Sequence, residues 1–170
     1  MSSKQQQMAR AIEVEVASEL AADPRTVLGH IGTLEGVNQE LWPIFIMTAP
    51  RAFRGRSLFE APVGRPLFRS WLLLGGVVPV DFDHLAFESL DPESGFVESS
   101  TMLTMATWRH ERRVTARQPG GSRIVDHLTF APRIPGTGRA LASIVKRVFQ
   151  HRHSRLRALF SADAVVHSGG

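Results

Sequence analysis

Cysteine and tyrosine are absent from this 170-residue chain, and lysine occurs only at Lys4 and Lys146. Without thiols there can be neither a disulfide nor a thiolate metal site, and a reducing compartment is permitted. The longest apolar cluster, Trp71 to Val80, is about half the length that spans a bilayer. Gly75, Gly76 and Pro79 also interrupt it. The opening Met1-Ser2-Ser3-Lys4-Gln5-Gln6-Gln7 lacks the apolar run of a signal peptide. Also missing are a phosphate-cradling glycine loop, a dinucleotide fingerprint, a His-Glu-x-x-His motif and a nucleophile-elbow serine. These absences argue against nucleotide-dependent and covalent-serine chemistry. They lead us to expect a cytoplasmic protein with no cofactor, no metal and no stable membrane insertion.

What is present fits one globular domain. Apolar residues make up 43 % of the chain, which is ordinary for a folded protein. Charge is unevenly spread: residues 109–160 carry 12 basic and 2 acidic side chains. Such a segment is either a solvated arginine-rich helix face or a patch that attracts an acidic partner. The first reading is preferred, and no nucleic-acid partner is expected.

Residues 1–10 read as a flexible tail, residues 11–161 as the domain, and residues 162–170 as a second tail. Ile12, Val14 and Val16 alternate with Glu13 and Glu15, the pattern of a half-buried strand. Asp23-Pro24 supplies an N-cap and a first-turn proline for a short helix carrying Val27, Leu28, Ile31 and Leu34. A second short helix, about Val37 to Leu41, is stopped by Pro43. Residues 43–82 are ambiguous. Ile44 to Met47 suits strand or helix, and Leu67 to Leu74 suits a strand or a buried helix, as a lid over a cavity or as core. Strands then follow at Leu85–Leu90, Phe96–Met102, Met105–Ala116 and Arg123–Ala131, with turns at Asp91–Gly95 and Pro119–Ser122. Leu141, Val145, Phe149, Arg152 and Leu156 recur at three- and four-residue spacing, one face of a long helix from Arg139 to Phe160.

Phe96-Val97-Glu98, Trp108-Arg109-His110-Glu111, Arg123-Ile124-Val125-Asp126, Phe130-Ala131-Pro132 and Phe149-Gln150-His151-Arg152, in this order of elements, resemble the START-like (SRPBCC) superfamily. The likeness is to its bacterial cyclase/dehydrase-like and cell-division-inhibitor-like members. It implies an α+β helix-grip fold, in which a curved antiparallel sheet wraps a long C-terminal helix and two short helices follow strand one. It also implies a cavity for a hydrophobic small molecule, lipid-like or polycyclic, in a monomer or homodimer. The alternative it allows is a cofactor-free polyketide cyclase or dehydratase. Leu103-Thr104, where many relatives have Gly-Pro, and the segment 64–80 depart from the pattern.

Alternation places Trp108, His110, Arg112 and Val114 on one face, and Ile124, Asp126, Leu128 and Phe130 on another. A turn at Gly120-Gly121 sets Val114 opposite Ile124, Arg112 opposite Asp126, and His110 opposite Leu128. A carboxylate on an apolar face needs a partner, and Arg112 is the planar donor that suits it. Asp126 thus either forms a structural ion pair with Arg112 or orients His110 and Arg112 as catalytic groups. Candidate cavity residues are Trp71, Phe87, Glu98, Ser100, Met102, Trp108, Leu128, Phe130, Val145 and Phe149. Trp42 reads as core, Asp81, Asp83 and His84 as a solvated turn, and His127 as facing water. His151 and His153 diverge too far on the helix to share a metal.

Overall fold

The computed structural model describes residues 11–161. Both expected tails lie outside the described residues. The chain runs β1 (Ile12–Leu20), α1 (Pro24–Ile31), α2 (Leu34–Leu41) and β2 (Phe45–Met47), then single 3₁₀ turns at Arg51–Phe53 and Leu58–Glu60. It continues through β3 (Pro66–Leu74), β4 (Val78–Asp91), β5 (Gly95–Ser100), β6 (Met105–Ala116) and β7 (Ser122–Pro132) to α3 (Gly138–Leu159). The seven strands form one antiparallel sheet in the order β1-β7-β6-β5-β4-β3-β2. The sheet curls as a half-barrel with α3 along it, the helix-grip arrangement expected from the sequence.

Local chemistry sets several boundaries. The Asp23 carboxylate accepts from the Arg25 and Thr26 amides at 2.9 and 3.2 Å, so α1 starts where the cap was expected. The Thr33 hydroxyl accepts from Gly36 at 3.1 Å and caps α2. The ambiguous stretches 44–47 and 67–74 resolve into strands. Phe45–Met47 pairs with Leu72–Leu74, and β3 pairs with β4 through a tight turn at Gly75-Gly76. Both glycines have positive φ, 58° and 79°, which a type I′ hairpin turn demands of its two central residues.

Residues of the concave face form layers along α3. At one end Met102, Met105, Trp108, Leu128, Phe130, Val145 and Phe149 pack with Val14. At the other, Leu20, Leu28, Ile31, Val114, Ile124 and Leu156 close against α1. A third cluster, Leu34, Leu58, Leu85, Phe87 and Phe96, lies beneath α2. Between the first two layers come His110, Arg112, Asp126, Arg152 and His153, polar side chains that are all buried. The β6–β7 register is the expected one: Val114 faces Ile124, Arg112 faces Asp126, and His110 faces Leu128.

Two tryptophans differ from expectation. Trp42 is 47 % exposed, because it caps α2 in an extended conformation and leaves the stripe of Leu34, Val37 and Leu41. Trp71 is 41 % exposed and packs edge-on against Phe82, while its neighbour Leu72 is the residue that turns inward. Among the described residues no helix is long and apolar enough to cross a membrane.

Candidate functional site

The buried polar layer is centred on Asp126, which has no exposed surface. Its Oδ1 accepts from Arg112 Nε at 2.6 Å and from His110 Nε2 at 2.8 Å. Its Oδ2 accepts from Arg112 Nη2 at 2.7 Å and from His153 Nε2 at 2.9 Å. Burial alone would raise this carboxyl, but the charge and hydrogen bonds of Arg112, with those of His110, hold it well below the usual range. The far side of Arg112 meets Glu40: Nη1 lies 3.0 and 2.8 Å from its two carboxylate oxygens. Arg152 Nε and Nη2 each reach Glu40 Oε2 at 2.9 Å. Burial pushes Glu40 upward as well, and the two guanidiniums outweigh it. Two arginines thus neutralise two carboxylates, and each carboxylate accepts several hydrogen bonds. Burial of ions is tolerated only on such terms, since each costs several kcal/mol if left alone.

His110 joins this layer to a cavity. Because ionised Asp126 only accepts, Nε2 of His110 carries the hydrogen between them. Nδ1 then faces Glu98 Oε2 at 3.6 Å from the neighbouring strand, where Glu98 stands directly opposite His110. Ser100 Oγ donates to Glu98 Oε1 at 2.9 Å. On β4, Asp81, Asp83, Leu85 and Phe87 alternate onto the same concave face. Burial, and then the charge of Glu98, push the Asp83 carboxyl well above the usual range. Glu98 is itself held low despite its burial, by His110 first and also by Asp83 and Ser100. Of the cavity-wall residues, only Asp83 has a buried side-chain polar atom, Oδ1, without a partner.

The cavity has a volume of about 270 Å³ and lies between the sheet and the first half of α3. Leu72, Met102, Met105, Trp108, Val145 and Phe149 supply much of its apolar lining. Asp81, Asp83, Glu98, Thr104, His110 and Arg152 are its polar contribution. It reaches the surface beside Val80 and Ile144, which are 40 % and 52 % exposed.

Among the expected cavity residues, Glu98, Met102, Trp108, His110, Val145 and Phe149 come together on this wall. Ser100 stands behind Glu98 as its donor. Leu128 and Phe130 pack in the adjoining core, and Phe87 belongs to the cluster under α2. Trp71 lies on the opposite sheet face, as described above. Arg112 and Asp126 are buried in the ionic layer and are not part of the lining.

Sequence reasoning missed four of the charged contributors. Asp81 and Asp83 were expected in a solvated turn, but β4 starts at Val78, and its alternation carries both inward at 8 % and 3 % exposure. Asp81 accepts from the Leu103 amide at 2.8 Å and from the Thr104 hydroxyl, the second of which a proline at this position would lack. Glu40 sits three residues after Val37 in the apolar stripe of α2, a position that signals a buried charge. Arg152 was legible as part of the α3 stripe but not as a partner of Glu40.

Residues 18–160 match the family described as "Domain of unknown function (DUF8410)". The chain belongs to this family. No curated protein matches it in sequence. Its fold is shared with the Zhui aromatase/cyclase of Streptomyces sp. R1128 at TM-score 0.69 and 14 % identity, covering 94 % of this chain and 99 % of that one. A START superfamily protein of Mycobacterium smegmatis matches at TM-score 0.62 and 12 % identity, with coverage of 87 % and 96 %. A Chromobacterium violaceum protein matches at 0.67 and 14 %, with coverage of 89 % and 99 %. The fold of this DUF8410 chain is therefore START-like, of the polyketide cyclase-like kind.

Proposed function

We propose that the protein binds a compact, mainly apolar small molecule in the cavity beside α3. The guest's polar end would lie against Asp83, Glu98, His110 and Arg152. The observation that carries this reading is the cavity of about 270 Å³, lined mainly by apolar side chains with a few polar groups among them. Pockets that enclose drug-sized ligands span about 300–1,000 Å³, so this volume favours one or two rings, or a short chain, over a large lipid or polycycle. Affinity would come mainly from burial, at about 25 cal/mol per Å² of apolar area. Fold likeness to a START superfamily protein and an aromatase/cyclase supports the same class of guest by analogy.

Titration with naphthalene, followed by its fluorescence, tests the reading: saturable one-to-one binding is expected. Val145→Phe fills the cavity and should weaken binding by about tenfold or more, since each CH₂ kept from burial costs about 0.8 kcal/mol. Absence of saturable binding to the unmodified protein would sink the reading.

A second reading is a cofactor-free cyclase or dehydratase, favoured by one observation: His110 lines the cavity with Nε2 fixed by Asp126 and Nδ1 toward Glu98. That is the arrangement of an oriented acid/base group. Arg152, rather than Arg112, would then be the guanidinium within reach of substrate. His110→Ala separates the readings, because an enzyme loses turnover of a polyketide-like substrate while still binding it.

A further inference from the structure

Charge and hydrogen-bond capacity differ around the cavity, and the difference restricts what can fill it. Asp83 is 3 % exposed, lines the cavity, and leaves Oδ1 without a partner. That atom has no accessible surface, so a guest meets the pair at Glu98, which also lines the cavity and whose Oε2 lies 3.6 Å from His110 Nδ1, beyond hydrogen-bond distance. A carboxylate oxygen short of donors in a buried wall costs about 1–3 kcal/mol, a cost that an arriving donor removes. We propose that the Asp83–Glu98 carboxyl pair is a recognition site for the hydroxyl group of an uncharged guest, such as a phenol or alcohol. This rests on the cavity-binding reading above and specifies its chemistry.

The wall discriminates against an anionic end. A ligand carboxylate would approach Glu98, an ionised group that already accepts from Ser100, and Asp81, which accepts from Leu103 and Thr104. The guanidinium of Arg152 also lines the cavity, 4.8 Å above the Phe149 ring. Glu40 already holds its Nε and Nη2 and neutralises it, so it offers an anion little compensation. A hydroxyl avoids this conflict, because it donates to the carboxyl pair without carrying charge.

The test compares naphthalene, 2-naphthol and 2-naphthoate, one skeleton with three ends, titrated against the unmodified protein at neutral pH. We expect 2-naphthol to bind about tenfold tighter than naphthalene, the scale of a hydrogen bond to a charged or buried carboxyl, and 2-naphthoate to bind weaker than naphthalene. Asp83→Leu should keep naphthalene binding and abolish the advantage of 2-naphthol. Equal binding of naphthalene and 2-naphthol, or tightest binding of 2-naphthoate, would overturn the assignment while leaving the cavity reading intact. Failure of all three to bind would remove the cavity reading itself. The unmodified protein decides these outcomes even if Asp83→Leu does not fold.

Discussion

Asp126 and Asp83 are both buried on the concave face of one sheet, yet the protein treats them in opposite ways. Asp126 accepts from four donors supplied by Arg112, His110 and His153 and is held ionised. Asp83 is pushed well above the usual carboxyl range by burial and by Glu98, and its Oδ1 has no partner. The first arrangement is complete without a guest, which marks it as a device that holds elements together. The second lies in the wall of the cavity, where a buried polar group without a partner calls for an explanation.

The strongest challenge to this contrast is Arg112→Leu, which strands Glu40 and Asp126 without their shared guanidinium. It should lower stability by about 3–5 kcal/mol in urea denaturation, and a loss below about 1 kcal/mol would show the layer to be dispensable. Acid sharpens the contrast. Asp126 and Glu40 release protons more readily when folded, so their stabilisation is full above about pH 4 and falls as pH drops toward their lower folded values. Asp83 holds its proton more tightly when folded, so it costs nothing below about pH 4 and lowers stability as pH rises toward its raised value. Asp83→Asn should therefore gain about 1–3 kcal/mol at neutral pH and lose that gain in acid, whereas Asp126→Asn should lose stability at neutral pH. Denaturation curves at pH 7 and pH 4 measure both. The smallest effect concerns the capped carboxylate Asp81. Thr104→Val removes one of its hydrogen bonds and should cost about 0.5–1.5 kcal/mol, read as a lowered thermal midpoint.

The ionic layer was partly legible because its core is one hairpin. Alternation and a turn at Gly120-Gly121 are enough to set Arg112 opposite Asp126 and to bring His110 to the same face. Glu40 is 72 residues from Arg112 in sequence, and no local period predicts that α2 packs across β6. Its trace in the sequence is a glutamate where an apolar stripe continues. The cavity wall was read less well, because its floor depends on the β3–β4 hairpin. In sequence, Gly75-Gly76 reads as an interruption of an apolar run, which delays the expected start of β4 to Leu85 and leaves Asp83 in a solvated turn. Once the I′ turn at Gly75-Gly76 is recognised, the period-two pattern Asp81, Asp83, Leu85, Phe87 gives the inward face directly.

The unequal anchoring of α3 has a mechanical consequence. Its second half is tied down by Arg152 to Glu40, His153 to Ser18 and Asp126, Arg157 to Ser18, and His151 to the Trp42 carbonyl. Among the described residues, no side-chain hydrogen bond joins Gly138–Val148 to another element. The two halves are held by different forces: polar and ionic contacts at the C-terminal end, and apolar packing of Leu141, Val145 and Val148 on the sheet at the other. Widening the opening beside Val80 and Ile144 would therefore cost buried apolar area rather than an ionic contact.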